Sequence, residues 1–275
     1  MDPVSRRTHL PFAALLVTLL WGAPVRSFAA ADQKASDLFS RATKLFGESQ
    51  YEKAAADLAE SLRLDPQQPR AAKLLGVCYQ ILGELKQAEV RFREAAKLDE
   101  SDGETWFFLG RAYYMEHQYD GAITALKIAV RLAPADPQAH ELLGITLEMN
   151  GDADAALVAY AEAVKRNSER QKPLATPPLS YGVFLHKLNR LEESEKQLRA
   201  AADLNPKDWM VHFELGKLYF DLGRFETAEQ ELLAASRTVK PKGEDATRVY
   251  RLLGRTYYRM GREDDAKRAN EMAGQ

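Results

Sequence analysis

Residues 103–136, GETWFFLGRAYYMEHQYDGAITALKIAVRLAPAD, contain two stretches in which apolar residues recur with the period of an α-helix. A short polar segment separates the stretches, and the closing Leu-Ala-Pro is typical of a helix end. Gly110 in the first stretch and Ala122 in the second remove side-chain bulk where paired helices must approach closely. The segment therefore predicts two short helices packed against each other.

The same pattern recurs along the chain with a period of 34 residues. A pair ending in glycine marks the first helix of six units: Leu75-Gly76, Leu109-Gly110, Leu143-Gly144, Tyr181-Gly182, Leu215-Gly216 and Leu253-Gly254. A small residue marks the second helix of seven units: Ala54, Ala88, Ala122, Ala156, Ser194, Ala228 and Ala266. Insertions of four residues near 171–174 and 243–246 lengthen two intervals to 38. Because one helix pair cannot bury its own apolar face, the pattern predicts pairs stacked into a solenoid.

The repeat resembles the tetratricopeptide repeat family, whose W-x2-L-G-x2-Y…A-x3-F…A…P pattern is fullest in residues 103–136. The matching residues are Trp106, Leu109, Gly110, Tyr113, Ala122, Leu126, Ala129 and Pro134. The resemblance implies an all-α fold, a right-handed superhelical solenoid of about seven helix-turn-helix repeats. We expect the repeats at 35–68, 69–102, 103–136, 137–170, 175–208, 209–242 and 247–275. The end units depart from the pattern at Arg41-Ala42 and at Asn270, as capping repeats do.

Residues 1–31 differ from the repeats and have the order of a secretory signal peptide: two arginines, an apolar run, then small residues. The run of about twelve apolar residues is shorter than the roughly twenty that span a bilayer as a helix. Cleavage after Ala29 or after Ala31 fits the small residues, and we expect a periplasmic or secreted protein. Two alternatives stay open: export by the twin-arginine route, and an uncleaved membrane anchor.

The composition is that of an ordinary folded chain, with 275 residues, 45% of them hydrophobic, and a formal net charge of −2. Domains that attract nucleic acid through their overall field are usually strongly basic, so we expect no nucleic-acid partner. Cys78 is the single cysteine, which excludes an internal disulfide, and its apolar neighbours indicate a small buried side chain. His140-Glu141 begins like a zinc-protease motif, but Gly144 replaces the second histidine. Without a nucleophile–base pattern or phosphate loop, the sequence predicts no enzyme, cofactor, metal or small-molecule substrate.

The family resemblance implies that the first helices line a concave groove in which a protein or peptide segment binds. Carried over position by position, it gives these candidate partner-binding residues: Phe39, Phe107, Arg111, Tyr114, Phe213, Lys217, Phe220, Arg248, Arg251, Arg255, Tyr258 and Arg259. Aromatic residues at groove positions are expected to be exposed and to anchor a partner, unless several of them pack against the adjacent helix. The groove positions contain no asparagine, unlike those of family members that clamp a chaperone's C-terminal carboxylate.

Five of these candidates belong to the stretch RVYRLLGRTYYRMGR, residues 248–262. At about 100° per residue, four arginines lie within roughly an 80° arc of one helix face: Arg248, Arg251, Arg255 and Arg259. Two of the three tyrosines, Tyr250 and Tyr257, lie opposite. The stretch is therefore an arginine ladder rather than an aromatic–basic nucleic-acid motif. Two interpretations stay open: pairing with nearby acids such as Asp221, or capture of an acidic segment or terminal carboxylate, which suits the planar guanidinium.

These features predict a non-catalytic, exported scaffold or adaptor that binds a protein or peptide, with an acidic segment as one expected feature. The alternative is a structural, self-assembling component of an envelope complex. Contact with a membrane is expected only if the signal peptide is not cleaved.

Overall fold

The structure is a computed structural model that describes the backbone of residues 22–274 and the side chains of residues 31–274. The described residues form fourteen α-helices and no strand, which confirms the all-α prediction. The chain divides into two compact units, one ending at Glu100 and the other beginning at Ser101.

The first unit contains two helix pairs. Its helices are α1 (Gly22–Gly47), α2 (Tyr51–Leu64), α3 (Pro69–Ile81) and α4 (Leu85–Leu98). Consecutive helices pack against each other, and Ala42, Leu58, Leu75 and Cys78 lie in the apolar core that they share. Burial raises the pKa of the Cys78 thiol to about 11, so this cysteine is a core residue, as its neighbours in the sequence predict.

Helix α1 begins inside the predicted signal peptide. Its backbone is helical from Gly22, so the two predicted cleavage positions, after Ala29 and after Ala31, lie within the helix. The rest of the predicted signal peptide, residues 1–21, lies outside the described residues, and export stays a prediction. In the part of the chain that the structure describes, no helix is both long and apolar enough to cross a membrane.

The second unit contains five helix pairs. Its helices are α5 (Gly103–Met115), α6 (Tyr119–Leu132), α7 (Pro137–Met149), α8 (Ala153–Ser168), α9 (Thr176–Lys187), α10 (Leu191–Leu204), α11 (Trp209–Asp221), α12 (Phe225–Thr238), α13 (Glu244–Arg259) and α14 (Glu263–Ala273). Each helix packs on the next along the chain. The first helices of successive pairs, α5, α7, α9, α11 and α13, also contact one another in that order. Side chains on these five helices therefore share one face of the unit.

The turn inside each described helix pair contains one residue in the left-handed backbone region. These residues follow the period of the sequence: Ser49, Gly83, His117, Gly151, Asn189, Gly223 and Gly261. Glycine adopts a positive φ without steric cost, and asparagine tolerates it better than most residues. Glycine or asparagine holds this position in five of the seven turns, and the same geometry persists where serine or histidine takes it.

The glycine of a first helix lies directly against a large side chain of the second helix. A Cβ atom built on Gly110 would lie 2.6 Å from Cγ of Leu126 and 3.4 Å from the carbonyl oxygen of Ala122. At Gly216 the corresponding distance is 2.6 Å to Cγ of Leu232. Both leucines are fully buried, so the close helix approach that the sequence predicts at these glycines is confirmed.

Candidate partner-binding site

Helix α13 places the predicted arginine ladder on one exposed face of the second unit. The ladder consists of Arg248, Arg251, Arg255 and Arg259, all of them exposed. On the opposite side, Val249, Leu253 and Tyr257 are buried in the core shared with α12 and α14. Because the apolar side of α13 is fixed by this packing, the direction of the arginines is fixed with it.

Three of the arginines stack on phenylalanine rings of the preceding helix pair, Arg259 on Phe225 and the other two on rings of α11. The guanidinium carbon of Arg248 lies 4.9 Å from the ring centre of Phe213, and that of Arg255 lies 4.9 Å from the ring centre of Phe220. Each such cation–π contact stabilises an exposed arginine by about 0.5–1 kcal/mol. The stacking orders guanidinium groups that would otherwise move freely, so less entropy is lost when they bind an anion.

The burial of Phe213 and Phe220 corrects one expectation from the sequence. Both were expected to be exposed in the groove, but their side chains are only 6% and 8% exposed and belong to the core of α9–α14. The arginines of α13 cover the rings, because long side chains lay their stems and planar heads on apolar surface. The large aromatic side chain that remains accessible here is Tyr258, which is 70% exposed.

Phe225 belongs to the same cluster and was missed from the sequence. It is the first residue of α12, its ring centre lies 5.7 Å from that of Phe220, and the guanidinium carbon of Arg259 lies 4.7 Å from it. The groove positions that the family resemblance implies lie on first helices, whereas Phe225 is the first residue of a second helix. A phenylalanine directly after the turn that follows Phe220 is the signal that could have found it.

Two open cavities lie along the ladder and share Phe220 and Arg255 as a common wall. The first has a volume of about 350 Å³, and its lining includes Phe213, Phe220, Asp221, Arg248, Arg251 and Arg255. The second has a volume of about 300 Å³, and its lining includes Phe220, Gly254, Arg255, Tyr258, Arg259 and Asn270. The structure thus brings aromatic floors and cationic walls together in adjoining cavities.

The acids and lysine nearest the first cavity are already engaged with other residues. Nε2 of His186 lies 3.0 Å from Oδ2 of Asp221, so this carboxylate pairs with α9 rather than with the ladder. Nζ of Lys217 lies 3.5 Å from Oε2 of Glu214 on its own helix. Lys217 lines the first cavity, but part of its charge is compensated by this buried glutamate.

Most of the ladder has no acidic partner. Arg248 lies 3.7 Å from a carboxylate oxygen of Asp245. Among residues 31–274, no carboxylate oxygen lies within 4 Å of a guanidinium nitrogen of Arg251, Arg255 or Arg259. Like charges three and four positions apart on a helix repel one another, so these three guanidinium groups would gain free energy from a bound anion.

The remaining candidates lie away from the ladder. On α5, Arg111 stacks on its neighbours Phe107 and Phe108 at 5.8 and 4.9 Å, and burial lowers the pKa of Arg111. Tyr114 is also half-buried on α5, and α7 and α9 lie between α5 and α11. Phe39 is half-buried in the first unit, where the guanidinium carbon of Arg70 lies 5.7 Å from its ring. The structure therefore does not join Phe107, Arg111 or Tyr114 to the ladder, and Phe39 belongs to the other unit.

Polar residues of α7 and α9 lie between α5 and α11 on the shared face of the second unit. Glu141 accepts hydrogen bonds from Ser180 Oγ at 2.6 Å and from Thr176 Oγ1 at 3.2 Å. Burial raises the pKa of the Glu141 carboxyl, and the two hydroxyl donors act in the opposite direction. Glu148 accepts from Lys187 Nζ at 2.6 Å. This part of the face satisfies its own charges, which leaves the α11–α13 end as the region with uncompensated charge.

The chemistry available at the ladder is recognition of anions and apolar groups. Neither cavity is lined by a nucleophile held by a general base. Within the residues whose side chains are described, no three His, Cys, Asp or Glu side chains cluster so as to hold a metal ion.

Comparisons with known proteins agree with this architecture. The tetratricopeptide repeat model matches residues 39–102, 82–137, 109–171 and 185–246. BBSome complex member BBS4 of Bos taurus is 25% identical over 277 residues, covering 88% of this chain and 51% of the relative. The chain thus spans about half the length of this relative.

Two solved structures share the fold. PilF of Pseudomonas aeruginosa superposes with a TM-score of 0.64 at 18% identity, covering 76% of this chain and 94% of PilF. YrrB, described as a tetratricopeptide repeat protein with an unusual peptide-binding site, gives a TM-score of 0.52 at 19% identity, covering 66% of this chain and 92% of YrrB. With more than half of its residues matched by the repeat model, the chain belongs to the tetratricopeptide repeat family.

Proposed function

We propose that this protein is a non-catalytic adaptor that binds an acidic segment of a protein partner at the arginine ladder of α13. The observation that carries the proposal is the set of three exposed guanidinium groups, Arg251, Arg255 and Arg259, which have no carboxylate partner among the described residues and line open cavities. Guanidinium groups bind carboxylates through paired hydrogen bonds, and a second charge on the ligand strengthens the contact.

The kinship of the chain supports a protein or peptide as the partner. YrrB, which shares the fold, is described by its peptide-binding site, and BBS4 is named as a member of a protein complex. Specificity for an acidic segment rests on the ladder alone, because fold similarity does not define a ligand.

We propose further that the protein is exported and acts in the periplasm or outside the cell. The support is the N-terminal order of two arginines, an apolar run of about twelve residues and small residues, which is typical of a signal peptide.

Fluorescence anisotropy with a labelled, amidated hexaglutamate peptide tests the acidic-segment proposal, with hexaglutamine as the neutral reference. Arg251→Gln combined with Arg255→Gln removes two positive charges and keeps two polar side chains. We expect this double variant to bind hexaglutamate about tenfold more weakly and with a shallower dependence on salt.

The matched control removes the same charge elsewhere in the second unit. Arg131 and Arg237 lie in the last turns of the second helices α6 and α12 and are exposed. Arg131→Gln combined with Arg237→Gln should leave hexaglutamate affinity within about twofold of the wild type. Equal losses in the two double variants would show that net charge, and not the ladder, attracts the peptide.

A further inference from the structure

The seventh helix pair differs from the inner pairs at one position. In five preceding pairs the glycine of the first helix is covered by a large side chain of the second: Phe92, Leu126, Tyr160, Leu198 and Leu232, each at most 1% exposed. In the seventh pair Asn270 takes this position, and its Oδ1 lies 2.6 Å from where a Cβ on Gly254 would be. Asn270 is exposed, and the cavity of about 300 Å³ opens beside it.

The position that a buried apolar side chain fills in the inner pairs is thus held by an exposed amide in the seventh, beside the cavity. The apolar part of the lining of this cavity includes Phe220, Tyr258 and Gly254. Its volume is far larger than the roughly 30 Å³ of one water molecule and suits a side chain of the size of leucine or phenylalanine. An apolar wall open to solvent gains free energy when an apolar group covers it.

We propose that this cavity receives a large apolar side chain from the same acidic segment that binds the ladder, an inference that rests on the proposed function. Charge complementarity selects the segment, since Arg255 and Arg259 line the apolar cavity and Arg255 is shared with the first cavity. The partner is therefore an acidic peptide with a leucine- or phenylalanine-type residue close to its acidic residue, rather than a uniformly charged polymer.

The spacing of the two cavities sets the spacing within the ligand. The α13 residues that line the first cavity run from Arg248 to Arg255, and those that line the second run from Gly254 to Arg259. Their midpoints are about five residues apart, which is roughly 7.5 Å at a rise of 1.5 Å per residue. An extended peptide advances about 3.3 Å per residue and presents every second side chain on one face. An extended acidic-x-apolar pattern, in which the two side chains are about 6.6 Å apart, fits this spacing.

Anisotropy with labelled, amidated peptides in a Gly-Ser frame tests this inference. The first probe contains Glu-Glu-Ser-Leu, the second replaces leucine with alanine, and the third places the glutamate and leucine four residues apart, as a helical ligand would. We expect wild-type protein to bind the first probe about tenfold more tightly than the second, and more tightly than the third.

Asn270→Leu installs in the seventh pair the type of side chain that the inner pairs carry, and it changes no charge. We expect this variant to lose the preference for leucine over alanine while binding the alanine probe as the wild type does. Tyr258→Ala, at an exposed residue, removes one wall of the cavity without disturbing the core and should reduce the same preference. Met272→Leu, on α14 outside the cavity lining, is the control that should keep it.

Each outcome has a distinct meaning. If the leucine and alanine probes bind the wild type equally but lose affinity with Arg251→Gln/Arg255→Gln, the apolar cavity is not used and acidic recognition stands. If the leucine preference survives in both Asn270→Leu and Tyr258→Ala, the apolar residue binds elsewhere and the inference is wrong. Tighter binding of the third probe overturns the extended spacing. If no acidic probe binds, or if the ladder variant binds them all unchanged, the proposed function itself fails.

Discussion

Two glycines at equal distances from a neighbouring side chain are expected to respond oppositely to the same substitution. A Cβ on Gly216 would lie 2.6 Å from Cγ of Leu232, and a Cβ on Gly254 would lie 2.6 Å from Oδ1 of Asn270. Leu232 is fully buried and cannot move out of the core, whereas Asn270 is exposed and can turn its amide into solvent. The energetic result should therefore depend on the mobility of the neighbour and not on the distance.

The magnitudes follow from two opposing effects. Alanine in a helix interior is favoured over glycine by about 1 kcal/mol, and both glycines lie inside helices. Overpacking against a buried side chain costs about 1–3 kcal/mol. Gly216→Ala should thus lower the free energy of unfolding by up to about 2 kcal/mol, while Gly254→Ala should leave it unchanged or raise it by up to about 1 kcal/mol.

Equilibrium urea unfolding, followed by far-UV circular dichroism and by tryptophan fluorescence, to which Trp209 on α11 contributes, measures both effects. We expect a lower midpoint for Gly216→Ala and an equal or higher midpoint for Gly254→Ala. Midpoints that shift in the same direction by the same amount would refute the idea that burial of the contacted side chain decides the cost.

Two further predictions concern a buried carboxyl and the N-terminus. Burial raises the pKa of the Glu141 carboxyl. The stability that this carboxyl contributes is therefore fully present when it is protonated and is lost as the pH rises through the raised pKa. Glu141→Gln should thus gain stability relative to the wild type between about pH 4 and pH 7. Urea midpoints of both proteins at the two pH values check this, and a constant difference would contradict it. N-terminal sequencing of the exported protein should begin at Ala30 or Asp32, and recovery of intact Met1 in a membrane fraction would favour the anchor.

The fold could be predicted from the sequence because its determinants are local and periodic. A glycine and a large apolar residue 16 positions apart, such as Gly110 and Leu126, define one helix pair, and the next pair repeats them. The turns can also be predicted from the sequence where glycine or asparagine is the left-handed residue. Ser49 and His117 adopt the same conformation without such a mark, because the two packed helices impose it.

The candidate site was only partly predictable, because side-chain cover depends on the neighbouring repeat. Phe213 is covered in part by Arg248, 35 residues further along the chain, a contact that its own position in the repeat does not indicate. The direction of Arg259 is likewise set by Phe225 on a second helix. A template of groove positions locates side chains on a face but does not include such contacts between repeats.

Arginine on phenylalanine is by itself a packing arrangement of neighbouring first helices and not the mark of a binding site. Arg70 covers Phe39 in the first unit at the same repeat positions as Arg248 and Phe213 in the second. What distinguishes α13 is the number of guanidinium groups without acidic partners, three within about two helical turns, beside two adjoining cavities. Stacking holds Arg255 and Arg259 in place against the mutual repulsion of the ladder. A ligand that supplies both negative charge and an apolar side chain relieves the repulsion and covers the open wall at once. That combination, rather than charge or aromatic content alone, is what a partner of this protein should provide.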